Sequence, residues 1–241
     1  MPEHARRIKI RRKMLRRPDE FHTLTNRAAA WVGRNRELAG GIALGVLVVA
    51  AVVLGISQYR TSQIDRAAEA FRAAQATFGA GRFADAAAAF QAVTESYPRT
   101  PSGRLADLYR AHALARQGDA TGAATVYSEY LATGPAAGYL RQEALDGLAH
   151  ARESAQDTAA ALDAYTQAAA LDGPYRADAL LGAARLQEAG GHGDAAREIY
   201  TRLLKESQPD PDLRTLLLSK LPPGTEAPPA APGGRSAVGF P

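Results

Sequence analysis

An alanine followed four residues later by an aromatic recurs four times between residues 60 and 210, as Ala86/Phe90, Ala123/Tyr127, Ala161/Tyr165 and Ala196/Tyr200. Successive alanines are 37, 38 and 35 residues apart. A period of this size marks stacked supersecondary units, each too small to bury its own apolar face. Gly81, Gly118 and Gly191 precede three of the pairs at one fixed offset, and Gln156 holds that place in the remaining one. Pro98 and Pro135 follow the first two pairs at a common offset, and Pro174 and Pro209 follow the others one residue later. A further alanine stands twelve residues before each key alanine, at Ala74, Ala111, Ala149 and Ala184.

This register predicts two helices per unit. Alanine lets helices approach closely, glycine supplies the turn between them, and proline ends the second helix. The pattern resembles the tetratricopeptide repeat, in which two antiparallel helices touch through small residues and an aromatic fills the space between units. The units fall at about 67–100, 104–137, 142–175 and 177–210. Residues 211–221, with Leu213, Leu216, Leu217 and Leu221, are expected to cover the open end as a capping helix. The resemblance implies an all-α fold, a right-handed solenoid of about four helix hairpins plus the cap, to which the apolar run read below adds one N-terminal transmembrane helix. Residues 222–241 are Pro/Gly/Ala-rich and aperiodic, and are expected to be a disordered tail.

The transmembrane helix is read from Leu38 to Ile56, nineteen residues without a charge. At about 1.5 Å per residue a helix of that length covers roughly 28 Å, close to a hydrocarbon core. A 37-residue lead and no small-x-small site after Leu54 argue against a cleaved signal peptide. Eleven Lys/Arg precede the span, and only Arg60, Arg66 and Arg72 follow within twenty residues. The positive-inside rule therefore puts residues 1–37 in the cytoplasm and residues 57–221 across the membrane. Gly41 and Gly45 form a GxxxG, which lets a second transmembrane helix approach.

The basic residues from Arg6 to Arg17 are expected to lie on anionic lipid. Pro18-Asp19-Glu20 opens a short amphipathic helix with Phe21, Leu24, Ala28 and Trp31 on one face. Trp31, Arg34 and Arg36 are then membrane-interface residues. Residues 1–37 hold eleven basic and four acidic residues, and the rest of the chain eighteen and twenty-one. The pI near 9.5 thus belongs to the arm, and nucleic-acid binding by the main domain is not expected.

No cysteine is present, which excludes disulfides, thiol catalysis and cysteine-ligated zinc. The sequence carries no phosphate-binding glycine loop, no HExxH and no serine elbow, so no catalytic residue, cofactor or metal site is assigned and an enzyme is not expected. His112 and His150 occupy equivalent positions in adjacent repeats. In the resembling family the inward groove comes mainly from the first helix of each unit. That selects Phe71, Gln75 and Phe78, then Leu108, His112 and Arg116. The third unit adds Glu143, Asp146, His150 and Glu153, and the fourth Asp178 and Arg185. The protein-binding groove is thus expected to start apolar and become acidic and polar further along, unless Phe71 and Phe78 only pack against the helix leaving the membrane. Family grooves that take acidic C-terminal peptides use Lys, Asn and Arg where this chain has Phe71, Leu108 and Asp146, so that mode is not supported.

The order of basic arm, amphipathic segment, single span and repeats resembles the bacterial family that includes the ancillary subunit of the Sec translocon and the repeat domain of a cell-division coordinator. It implies a protein of the bacterial inner membrane with a periplasmic repeat domain. The partners implied are membrane lipid, the translocon and periplasmic chaperones. A scaffold of a cell-division, outer-membrane-assembly or cytochrome-maturation complex is the alternative.

Overall fold

A computed structural model describes residues 29–134, 138–206 and 211–223. The basic arm, the start of the amphipathic segment at Pro18, the repeat-closing Pro135 and Pro209, and the tail from 224 onward lie outside the described residues. The chain divides into two compact units, Met1–Thr61 and Ser62–Pro241.

In the first unit residues 29–34 are helical, and helix α1 (Arg36–Gly79) begins after Asn35. Asn35 Nδ2 donates to the Trp31 carbonyl at 3.1 Å. Trp31, Arg34 and Arg36 are exposed. By length and composition α1 suffices to cross a membrane, and none of its apolar window is buried. Beside Gly41 and Gly45 a Cβ would meet nothing within 4 Å. The helix does not stop where a separate span would end, because residues 57–66 contain neither Gly nor Pro to break it.

The second unit contains the end of α1 and eight further helices among the described residues: α2 (Phe83–Ser96), α3 (Pro101–Gln117), α4 (Ala120–Ala132), α5 (Gly138–Ser154), α6 (Thr158–Ala169), α7 (Arg176–Ala189), α8 (Gly193–Glu206) and α9 (Pro211–Ser219). Four hairpins result, with α9 against α8. All eight alanines of the repeat register are at most 2% exposed, so each helix pair meets where the sequence has no bulk. Phe90, Tyr127, Tyr165 and Tyr200 are buried between units. Leu217 and Leu221 close the last cluster, as expected of a cap, but Leu216 is 48% exposed.

The four hairpin turns share one hydrogen-bond pattern. Gly118 N–H donates to Ala115 O, and Asp119 N–H to Leu114 O, five residues back. Gly81/Arg82, Gln156/Asp157 and Gly191/His192 repeat it. This is a Schellman closure, which needs a left-handed residue just past the helix. Gly81, Gly118 and Gly191 supply it with φ of 76°, 93° and 80°, and Gln156 adopts φ 63° as a non-glycine. Asp119 and Asp157 then cap α4 and α6 by accepting from Gly122 N and Ala160 N. His192, between Gly191 and Gly193, is an exposed turn residue.

Stacking is asymmetric. The backbones of α3 and α5, and of α5 and α7, approach one another, whereas those of α2, α4, α6 and α8 do not. The stack therefore closes toward the first helices of the units.

Candidate functional site

Three positions recur where one unit meets the next. They are the residue four after the first-helix alanine, the second-helix aromatic, and the residue one after the first-helix alanine of the following unit. In the third unit they are Glu153, Tyr165 and Arg185. The Arg185 guanidinium bonds both oxygens of Glu153, and Tyr165 Oη donates to the same carboxylate at 3.1 Å. Thirty-five residues later the arrangement returns as Glu188, Tyr200 and Lys220. Lys220 Nζ lies 2.9 and 3.0 Å from the two Glu188 oxygens, and Tyr200 Oη donates to Glu188 at 3.1 Å. The second unit has Ala115, Tyr127 and His150, and the first Phe78, Phe90 and His112. The junctions thus change from aromatic to ionic along the chain.

The tyrosines also need glycine opposite. A Cβ at Gly147 would fall 2.5 Å from the Tyr127 ring, and one at Gly182 would fall 2.5 Å from the Tyr165 ring. At the equivalent position of the second unit stands Tyr109, whose ring packs on Phe90 at 5.5 Å and Phe71 at 5.1 Å.

The apolar start of the expected groove is corrected by this packing. Leu108 is fully buried among Ala111, Ala123 and Tyr127, so it offers no groove surface. Phe71 is 8% exposed and held between Phe90 and Tyr109. Phe78 is half-buried with its edge toward Phe83, and Arg116 stacks 5.0 Å from the Phe83 ring centroid. Gln75 is half-buried. The helical period set the phase of these residues, but Leu108 and Phe78 pack against the second helix of their own hairpins, and Phe71 lies between its own Phe90 and Tyr109 of the following unit.

The polar residues cluster. His112 Nε2 lies 3.6 Å from Glu143, and burial pushes the imidazole down to about 4, so it is neutral at neutral pH. Burial likewise raises Glu143. His150 Nε2 lies 3.6 Å from Asp146 Oδ2, and its Nδ1 lies 2.8 Å from Tyr165 Oη. Asp146 is 9% exposed, and its Oδ1 has no hydrogen-bond partner. Its pKa is raised by burial and by Asp178, against a lowering by His150. The Arg185 hydrogen bonds hold Glu153 below its ordinary value.

Asp146, His150, Asp178 and Arg185 line one cleft of about 480 Å³ with Tyr175, Leu181, Glu188, Tyr200, Leu216 and Lys220. Tyr175 is set there by Gln142, which the sequence did not single out. Gln142 is fully buried, donates to Ala168 O at 3.1 Å and Leu171 O at 2.8 Å, and accepts from Tyr175 N–H at 3.2 Å. Among the described residues no three His, Cys, Asp or Glu side chains converge as a metal site.

A tetratricopeptide-repeat family model matches residues 74–138, and a second matches residues 153–219. This is a tetratricopeptide-repeat domain. It is similar to solved repeat structures at low identity, which speaks for the fold alone. A Podosopora anserina putative kinesin light chain with nearly identical TPR-like repeats shares 17% identity at a TM-score of 0.53, covering 64% of this chain and 83% of that one. A single-residue variant of the same protein gives 18% and 0.52, covering 64% and 82%. A tetratricopeptide repeat protein from Parabacteroides merdae ATCC 43184 gives 16% and 0.55, covering 64% of this chain and 58% of that one. No curated protein matches the chain in sequence.

A tetratricopeptide-repeat domain is a scaffold for protein–protein contact. In this one the first helices of the last two units and the cap gather the charged side chains, while the first two units spend their aromatics on internal packing. The 35-residue recurrence of Glu153/Glu188, Tyr165/Tyr200 and Arg185/Lys220 was present in the sequence and would have revealed the junction network.

Proposed function

We propose that this chain is a membrane-anchored adaptor whose tetratricopeptide-repeat domain receives protein partners on the non-cytoplasmic side of a bacterial inner membrane. In this reading residues 1–37 stay in the cytoplasm, with Trp31, Arg34 and Arg36 at the lipid interface. Residues 38–56 span the bilayer, and the repeats stand in the periplasm. The observation that carries it is the unburied apolar window of α1, on a chain whose other compact unit is an interaction domain. Eleven Lys/Arg before the apolar run support the orientation. The partners favoured are the secretion translocon and chaperones that meet exported chains, in line with the resemblance in domain order.

Protease added to spheroplasts tests the topology. It is expected to remove residues 60–241 and spare the arm. A protected repeat domain with a clipped N-terminus would overturn the orientation and the role with it. A photo-crosslinking residue placed at Asp178 is expected to trap partner proteins in cells, and one at Glu198 on α8 is not. Crosslinks to translocon subunits or chaperones support the role as stated. Crosslinks to division or outer-membrane-assembly proteins would replace it with the scaffold of an envelope complex.

A further inference from the structure

We propose that the cleft between the third repeat, the fourth repeat and the cap is covered by the chain's own residues 235–241, which a protein partner must displace. The proposal rests on the adaptor reading and names how access to that site is regulated.

The chain itself leads there. Lys220 lines the cleft, and Pro223, the last described residue, follows three positions later. Residues 222–234 are Pro, Gly, Ala and Thr with a single acid, Glu226. Such a run has almost nothing to bury and acts as a tether. A segment of different character comes next, Arg-Ser-Ala-Val-Gly-Phe-Pro at 235–241. Phe240 is the only aromatic after Tyr200, and Arg235 the only cation after Lys220. Arg235 stands twelve positions beyond Pro223. At about 3.1 Å per residue a Pro-rich tether of that length spans at most roughly 37 Å. It holds the segment near the cleft at an effective concentration on the order of millimolar, so a weak contact is enough to fill it.

The cleft has the matching surface. Leu217 and Leu221 of the cap close the last core cluster, and the outer side of a terminal cap is ordinarily polar. Leu216 departs from that rule, being 48% exposed and lining the cleft with Leu181, Tyr175 and Tyr200. It is one of three exposed large apolar side chains among the described residues of the second unit, with Ile64 and Tyr139. Alternate residues of an extended segment share a face, and a following proline biases a residue toward extended backbone. Val238 and Phe240, the latter followed by Pro241, therefore offer two apolar side chains together, as the cleft offers two leucines. Charge agrees with this pairing. Arg185 is bound by Glu153 and Lys220 by Glu188, whereas the exposed Asp178 has no Lys or Arg partner among the described residues. Arg235 complements it.

A covered cleft admits a partner only in the fraction of molecules whose segment has left, which lowers the apparent affinity by that fraction.

The test uses the full chain in nanodiscs with p-benzoylphenylalanine at position 240. On illumination it is expected to crosslink to α7 and α9 of its own chain, with a yield unchanged on about tenfold dilution. Leu216→Asp is expected to cut that yield at least about tenfold with circular dichroism unchanged, and Tyr139→Asp is not. Asp178→Arg is expected to lower the yield, and Arg235→Asp in the same chain to restore it. Crosslinks spread over the repeats without preference, crosslinks to second copies that grow with concentration, or a wild-type yield in Leu216→Asp each overturn the proposal. In cells, Phe240→Ala is expected to raise partner capture by a crosslinker at Asp178 at least about threefold, and unchanged capture overturns the gate. If Asp178 traps partners while position 240 never reaches the cleft, this inference falls and the adaptor reading stands. If position 240 reaches the cleft but Asp178 traps no partner in either chain, the adaptor reading falls and the gate with it.

Discussion

Arg185 reaches back thirty-two residues to bond both carboxylate oxygens of Glu153 across the boundary between two repeats. The pair joins elements that are otherwise held by buried alanine and tyrosine. Because Arg185 is more than half exposed, Arg185→Ala is expected to cost only about 0.5–1 kcal/mol. A double-mutant cycle with Glu153→Gln should return a positive coupling that shrinks in high salt. Zero coupling at low salt would mean that the pair adds nothing to the stack.

Asp146 and Glu153 predict opposite pH responses. Glu153 is held below its unfolded value, so its contribution is present above that value and is lost as pH falls through the folded one. Asp146 is raised, so the folded state binds its proton more tightly, and stability falls as pH rises between the unfolded and folded values. Asp146→Asn is therefore expected to stabilise the protein at pH 7, by on the order of 1 kcal/mol, and to flatten the slope just above the ordinary aspartate range. Denaturant titrations at several pH values measure both effects. Destabilisation by the Asn variant at pH 7 would mean that the carboxylate has a partner in solution.

Gln156 carries left-handed strain where the other three turns have glycine. A left-handed L-residue costs about 1–2 kcal/mol, and glycine returns part of that as unfolded-chain entropy. Gln156→Gly is expected to stabilise by about 0.5–1 kcal/mol and to raise the melting temperature by roughly 2–4 °C. A lower melting temperature would show that the turn is not limited by its backbone.

Gly182 and Gly147 are held open by tyrosine rings. Gly182→Ala or Gly147→Ala is expected to destabilise by about 1–3 kcal/mol, because the ring must move inside a packed junction. Gly79→Ala, at the end of α1 with nothing within 4 Å of a Cβ, serves as the control and is expected to be neutral or mildly stabilising. Equal melting of all three variants would place the tyrosines elsewhere.

The hairpins were legible because their cause is local. A small residue at a helix crossing and a left-handed residue past a helix end leave fixed marks, and Gln156 could be placed in the glycine series from spacing alone. Asp146, His150, Glu153 and Arg185 were also put on the correct helices, and the structure brings them together. Leu108 and Phe71 were misplaced because spacing along one helix does not say which of its positions the second helix of the hairpin and the following unit cover. Gln142 escaped notice for a related reason: its three hydrogen bonds close a loop twenty-six to thirty-three residues away.

The drift of the junctions from Phe78/Phe90/His112 to Glu188/Tyr200/Lys220 gives the two ends of the stack different weather. Aromatic contact weakens on cooling and is indifferent to moderate salt, whereas exposed ion pairs are screened by salt. In a chain of neighbours that stabilise only one another, each end can loosen alone. Brine is therefore expected to loosen the Glu188–Lys220 junction beside α9 and to leave the aromatic junction beside α1 as it is.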